Sequence, residues 1–374
     1  MAGIYIHIPF CRSKCHYCNF FSMASLKYRD EFLKILGLEI GMRADYLAGE
    51  EVRSIYFGGG TPSLLSPGEI SGIIAELGRY HQISGEAEIT VEANPDDIDR
   101  DWARGIAEGP VNRISLGIQS FHDGDLRSLN RIHTALQAEQ AIDLVLGAGI
   151  RNLSIDLIYG IPGLTTEMWE KNLEKFFSRE IPHLSAYALT VEEHTALHHL
   201  IRKNKAPAPS EDAIVDHYRT LVALTAEKGF AHYEISNFAL EGFYSQHNSL
   251  YWAGGHYLGL GPSAHSYNGI SRRWNKPGMK VYLAMEQYFA ETYEEEVPDK
   301  DQRYNEYVMT SLRTMWGCNL DIVRKEFGED YAGHIIDEAQ IFLEEGKMTL
   351  KNNILFLTPE GILFADGITA SLFR

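Results

Sequence analysis

The sequence predicts an α/β protein: a partial (β/α)6 barrel of the TIM type, followed by a smaller, mostly helical, winged-helix-like C-terminal domain. Three observations carry that expectation. Six short apolar runs alternate with helical stretches over the first two-thirds of the chain, the pattern of parallel strands joined by right-handed crossovers. The end of each run delivers a polar side chain or a glycine-rich turn, and in a barrel those ends share one rim. From about residue 281, three helical stretches precede two short β-like runs.

Strand one is expected at residues 4–8, apolar at alternate positions, and runs directly into the loop Cys11-Arg12-Ser13-Lys14-Cys15-His16-Tyr17-Cys18. A helical pattern follows over about 28–47. Strand two, 52–57, closes on Gly58-Gly59-Gly60-Thr61-Pro62, and a helix starts at Pro67 with Ser66 as its N-cap. Strand three, 88–93, ends in Asn94-Pro95, and strand four, 113–118, runs into Gln119-Ser120. A helix over about 135–148 leads to strand five, 153–159, which stops at Gly160-Ile161-Pro162-Gly163. A helix at 167–177 and strand six, 184–189, complete the set. The rim then collects the cysteines, the triple glycine, Glu92, Gln119, Asp156 and Thr190.

The core is expected to span 1–210. Residues 211–280 carry a helix near 212–228, His247-Asn248-Ser249-Leu250-Tyr251-Trp252 and a glycine-rich stretch 259–265, and are expected to close the barrel's open side. Residues 281–374 form the C-terminal unit, with helices at 301–314, 319–327 and 331–345. A hairpin over 348–357, turning at Lys351-Asn352-Asn353, and a helix after Thr358-Pro359 end it.

Charge excludes one use of that shape. The chain has 34 Lys and Arg against 51 Asp and Glu, a net −17, and residues 281–374 alone carry 8 against 18. A face that meets phosphates needs the opposite sign, so no nucleic-acid partner is expected. No apolar run reaches the roughly 18 residues of a transmembrane segment. The N-terminus has no basic n-region and no cleavage site, so the expectation is a cytoplasmic protein, monomeric or weakly dimeric.

Three of the four cysteines, Cys11, Cys15 and Cys18, lie within eight residues in C-x3-C-x2-C spacing. Three thiolates on one loop can hold three irons of a [4Fe–4S] cubane, leaving the fourth iron open to a small molecule; electron-transfer clusters use four. The bland alternative is zinc, completed by His7 or His16. Disulfides would leave an odd cysteine. Cys318, far away at a helix start, reads as a packing residue. Gly58–Gly60 can let backbone approach a ligand, or can simply make a tight βα turn. Glu92 and Asp156 at the ends of apolar strands need a partner: a ligand, or an ion pair with Arg113 or Arg131. His247, Tyr251 and Trp252 read as an aromatic cluster or as part of a haem pocket, with His247 the axial ligand.

With these residues in place, the chain resembles the oxygen-independent coproporphyrinogen III oxidase-like family of radical S-adenosylmethionine (SAM) proteins. The resemblance covers nearly the whole chain: Tyr5-Ile6-His7-Ile8-Pro9-Phe10-Cys11, Gly58-Gly59-Gly60-Thr61-Pro62, Ser115-Leu116-Gly117-Ile118-Gln119-Ser120-Phe121, Ile155-Asp156-Leu157-Ile158-Tyr159-Gly160-Ile161-Pro162 and the acidic C-terminal unit. It implies a radical SAM barrel with SAM chelating the open iron. The implied SAM contacts are Tyr5, Tyr17, Gly59, Gly60, Thr61, Glu92, Gln119, Arg131, Asp156, Thr190 and His265.

Two branches of the family imply different functions. The dehydrogenases carry a further cysteine two positions after the third, and a long N-terminal arm. Here that position is Phe20, and the chain starts three residues before strand one. His247-Asn248-Ser249-Leu250-Tyr251-Trp252 is similar to the H-N-x-x-Y-W motif of the HemW-type haem chaperone branch. That branch implies haem binding and transfer to haemoproteins such as respiratory enzymes. The alternative is oxidative decarboxylation of coproporphyrinogen III propionates to vinyl groups.

Overall fold

The computed structural model describes residues 2–374. Strands β1 (Ala2–Ile8), β2 (Val52–Gly59), β3 (Ile83–Ala93), β4 (Arg113–Gln119), β5 (Asn152–Tyr159) and β6 (His183–Ala188) pair in sequence order, all parallel. The helices Arg29–Met42, Pro67–Leu77, Arg100–Ala107, Ala135–Gly147 and Thr166–Phe177 lie in the crossovers. Ser66 does cap its helix, in a full capping box with Glu69.

Alternation along each strand divides the barrel into two faces. Ile4, Ile6, Ile55, Phe57, Ile114 and Leu116 belong to one continuous core with the helix residues Phe32, Leu36, Ile70 and Ile142. The positions between them are polar: Tyr5, Ser54, Tyr56, Glu88, Thr90, Glu92, Arg113, Ser115, Ser154 and Asp156. These turn to the barrel interior. Apolar burial, at about 25 cal/mol per Å², therefore drives the outer layer. The inner layer depends on hydrogen bonding, because a buried polar group without a partner is costly.

The segment expected to close the barrel instead extends both edges of its sheet. Beyond β6 lie β7 (Ala231–Glu234) and β8 (Asn237–Ala239), antiparallel. On the other side β9 (His256–Leu260) pairs parallel with β1, and β10 (His265–Tyr267), β11 (Arg272–Asn275) and β12 (Tyr293–Glu296) follow. The twelve-stranded sheet ends at β12 and β7, so among the described residues no strand pairing joins its edges. The helix Gln246–Trp252 lies against β1, β2 and β9. The glycine-rich stretch is β9 and its reversal into β10: a Cβ on Gly259 would lie 2.0 Å from His265 O. Buried Glu39 locks this extension on, accepting from Gly261 N–H at 2.8 Å, Asn275 Nδ2 at 2.6 Å and Tyr282 Oη at 2.8 Å.

Residues 279–296 also belong to this body, through Tyr282, Met285 and β12. A second hydrophobic core begins at Tyr304, with Val308, Leu320, Val323 and Ile335. The helices there are Lys300–Leu312, Leu320–Phe327 and Glu329–Glu344. The strands β14 (Met348–Lys351) and β15 (Ile354–Leu357) form the expected hairpin, and the two-residue strand β13 (Cys318–Asn319) adds a third strand beside β15. Asn352 and Asn353 both have positive φ, 52° and 62°, as a tight two-residue hairpin requires. Among the described residues no helix is long and apolar enough to cross a membrane.

Candidate metal centre and cofactor site

The cysteine loop leaves β1 and is tethered along its length. Cys11 N–H donates to Met23 O at 2.9 Å, and His16 N–H to Leu129 O at 3.1 Å. Arg12 Nε donates to Asp97 at 2.5 Å, and Asn130 Nδ2 to Lys14 O at 2.8 Å. Apart from Met23, which follows the loop itself, the contacts come from the turns after β3 and β4, so the barrel itself fixes the loop's path. Cys11, Cys15 and Cys18 are unbridged and half-buried, and all three line one cavity of about 410 Å³.

Burial pushes the Cys11 and Cys18 thiols up, so ligation must displace protons. Arg131 supplies a fixed cation beside them. Its Nη1 donates toward Cys15 Sγ at 3.5 Å, while Nη2 donates to Asn94 Oδ1 at 2.6 Å and Gly117 O at 2.7 Å.

The histidines expected to complete a zinc site are engaged elsewhere. His7 Nε2 faces Phe21 O at 2.8 Å and must donate, which leaves Nδ1 to accept from Tyr5 Oη at 3.2 Å. His16 Nδ1 faces Ser128 O at 3.1 Å. Among the described residues, no three His, Cys, Asp or Glu side chains gather around one ion position. Three thiols around a roomy cavity fit a polynuclear cluster, which spreads its irons, better than a single ion.

Each glycine of the 58–60 run at the end of β2 has a packing reason of its own. A Cβ on Gly58 would meet Tyr5, Glu92 and Tyr56 at 3.0–3.1 Å. Gly59 has φ +102°, where side chains are strained, and its Cβ would lie 2.4 Å from His7 Nδ1. A Cβ on Gly60 would lie 2.7 Å from both Ile8 O and Phe10 O. These contacts press the turn against the root of the cysteine loop, and Gly59, Gly60 and Thr61 line the cavity. Gly60→Ala must therefore push backbone on the loop, a strain of about 1–3 kcal/mol. The expected result is roughly tenfold weaker SAM binding by the reconstituted protein in equilibrium dialysis. Gly68→Ala, with nothing within 4 Å of its Cβ, is the neutral control.

Two carboxylates project from the inner layer into the cavity. Glu92 Oε1 accepts from Tyr56 Oη at 2.9 Å, and Asp156 Oδ1 accepts from Ser115 Oγ at 2.9 Å. Burial and the neighbouring Asp156 push Glu92 up to about 7. Burial raises Asp156 as well. Arg113 pairs with Glu88 at 3.9 Å and only partly compensates. A cavity walled by two buried, proton-hungry carboxylates favours a ligand that brings positive charge.

Tyr17, Gln119 and Thr190 join the cysteines, Gly59, Gly60, Thr61, Glu92, Arg131 and Asp156 around this cavity. The remaining expected residues lie elsewhere. Tyr5 sits beneath, holding His7 under Gly59. His265 is exposed on β10, stacks on Trp274 with centroids 5.9 Å apart, and does not line the cavity. His247 is 1% exposed, and both its ring nitrogens have partners, Ser54 Oγ at 2.8 Å and Tyr251 Oη at 2.9 Å. It neither reaches the cavity nor presents a free nitrogen, so the axial-ligand expectation has no support in this geometry. Asn94, Tyr56 and Ser115 were missed. The signal for Tyr56 and Ser115 was present in the period-two alternation, which turns them inward with Glu92 and Asp156.

Comparison with known proteins agrees with this geometry. The Radical SAM superfamily model matches residues 5–176, and the HemN C-terminal domain model matches residues 299–364. Superfamily membership implies a [4Fe–4S] cluster, which Cys11, Cys15 and Cys18 would hold, and SAM; when bound, the cluster would supply an electron to SAM. Relatives named heme chaperone HemW include that of Lactococcus lactis subsp. lactis, 35% identical with 86% of this chain and 84% of the relative covered. Those of Bacillus subtilis and Mycobacterium tuberculosis are 30% and 31% identical, over 98% and 99% of this chain and 98% and 94% of theirs. In structure the chain is similar to the coproporphyrinogen III oxidase HemN of Escherichia coli, a radical SAM enzyme. The TM-score is 0.86 at 22% identity, covering 100% of this chain and 90% of that one, a likeness of fold. The chain belongs to the radical SAM superfamily, in the HemW-type branch of its oxygen-independent coproporphyrinogen III oxidase-like family.

Proposed function

We propose that this protein is a cytoplasmic radical SAM protein that binds haem and delivers it to haemoproteins. Cys11, Cys15 and Cys18 would hold the cluster, with SAM in the cavity against Gly59, Gly60, Glu92 and Asp156. The observation that carries the reading is Phe20. Where the dehydrogenase branch has a further cysteine, this chain presents an aromatic ring, 62% exposed beside the cavity. The ring offers apolar contact to a flat ligand and no thiol for chemistry. The names of the relatives support the same reading. His247 has no ligand role in this proposal.

Anaerobic titration of the reconstituted protein with haem, with and without SAM, tests it. A Soret shift that saturates at micromolar haem is the expected result, and no shift would reject haem binding. In parallel, incubation with coproporphyrinogen III, SAM and reductant should yield no decarboxylated porphyrinogen. Product formation coupled to SAM consumption would put the chain with the dehydrogenases.

A further inference from the structure

The proposed SAM pocket stands on a stack of rings. Ser245 caps the helix Gln246–Trp252, which brings His247 against the inner faces of β1 and β2. Gly3 makes the approach possible: a Cβ there would lie 2.6 Å from Leu250 Cδ2 and 3.2 Å from His247 Nδ1. Three contacts pin His247. Its backbone N–H donates to Glu88 Oε1 at 3.2 Å, and its ring nitrogens meet Ser54 Oγ and Tyr251 Oη. The ring stacks on Tyr56, centroids 5.1 Å apart and planes 24° from parallel. Tyr56 Oη donates to Glu92, and Glu92 lines the cavity.

We propose that His247 is a positioning residue: its pinned ring holds the Tyr56 phenol on the Glu92 carboxylate and so fixes how that carboxylate faces the cavity. The relevance to SAM rests on the reading of the cavity as the SAM pocket; the stack itself does not. Burial lowers His247 to about 3, so its imidazole is neutral and acts by shape and hydrogen bonding. The other groups that face Glu92 are Tyr5 from β1, the Gly59 N–H from β2, Arg113 from β4, Asp156 from β5 and Tyr187 from β6. The Tyr56 hydroxyl is the side-chain donor among them. Removing it, or letting it tilt, favours the protonated carboxyl.

The test follows the Glu92 carboxyl by 13C NMR in the full chain without SAM, with Glu92→Gln identifying the signal. Tyr56→Phe and His247→Ala are both expected to raise its midpoint by about one pH unit. The double variant should go no further than Tyr56→Phe alone. His247→Phe keeps a ring under Tyr56 but loses both ring-nitrogen pins, so its midpoint should rise by less than that of His247→Ala. The haem Soret spectrum should be the same in all of them. An unmoved midpoint in His247→Ala overturns the proposal. So does equal loss of the Soret band in His247→Ala and His247→Phe, the behaviour of an axial ligand. If His247→Ala does not fold, Ser54→Ala removes one pin and should shift the midpoint upward by less; no shift overturns the proposal. A shifted midpoint with unchanged SAM affinity supports the stack and rejects the SAM reading of the cavity.

Discussion

Cys11→Ala, Cys15→Ala and Cys18→Ala are each expected to abolish a stable [4Fe–4S] centre, while Cys318→Ala retains it. Three thiols line the cavity and the set is already one short of four, so losing any of them leaves two. The fourth cysteine cannot substitute. Cys318 is fully buried in the separate core around Tyr304 and Leu320, where burial pushes its thiol up to about 12. It has neither a route to the rim nor a tendency to form thiolate. The check is the charge-transfer absorption of the four anaerobically reconstituted variants, together with iron and sulfide content. Loss of the cluster in Cys318→Ala with retention in Cys18→Ala would reject the ligand assignment, and the open fourth iron with it.

The barrel was legible because its signals are local. Alternation in residues 4–8 or 113–118 reports a strand with one apolar face, and Gly58–Gly60 or Asn94-Pro95 reports where it stops. The cysteine loop was legible because its spacing is contiguous. What stayed hidden depends on pairing between distant segments. β9 ends inside the glycine-rich stretch and carries no strand signal; its parallel pairing with β1 and the close approach of β10 at Gly259 make it a strand. His247 shows the same limit. Its motif is visible, but the Gly3 gap, the Ser54 hydroxyl and the Tyr56 ring that define its surroundings lie on other strands. A histidine in an aromatic cluster looks like a ligand until both of its nitrogens are accounted for. Of the three neighbours missed around the cavity, Asn94 escaped for a similar reason. It joins Arg131 to Thr61 by two hydrogen bonds between separate turns.

SAM affinity of the parent relative to Glu92→Gln is expected to fall about 100-fold between pH 8 and pH 5. The argument begins with the ligand-free protein, where Glu92 titrates near 7 because it is buried and faces Asp156. A raised carboxyl favours the folded state at low pH; that contribution is present below the ordinary value of 4.5 and is lost as pH rises through 7. Above pH 7 Glu92 is therefore a buried carboxylate held in repulsion with Asp156. The SAM sulfonium relieves that repulsion and draws the bound-state midpoint down, while the amino group that chelates the open iron binds as the neutral amine and sheds its own proton in parent and variant alike. Binding at pH 7 must then release about half a proton from Glu92, and affinity relative to Glu92→Gln must drop about tenfold per pH unit below 7 until the bound midpoint is reached. Asp156 shifts in the same direction, so it adds to the acid side of the profile and cannot cancel it. Calorimetry of cluster-loaded parent and Glu92→Gln, each in two buffers of different ionisation enthalpy, gives the Glu92 proton as the difference between them. In Glu92→Gln one charge is gone: affinity at pH 8 should be lower than in the parent, and proton release at pH 7 smaller by about half a proton. A parent-to-variant affinity ratio that is flat from pH 8 to pH 5, or equal proton release in the two proteins, would mean that Glu92 does not face the cationic part of the ligand. The cavity would then need a different occupant or a different pose.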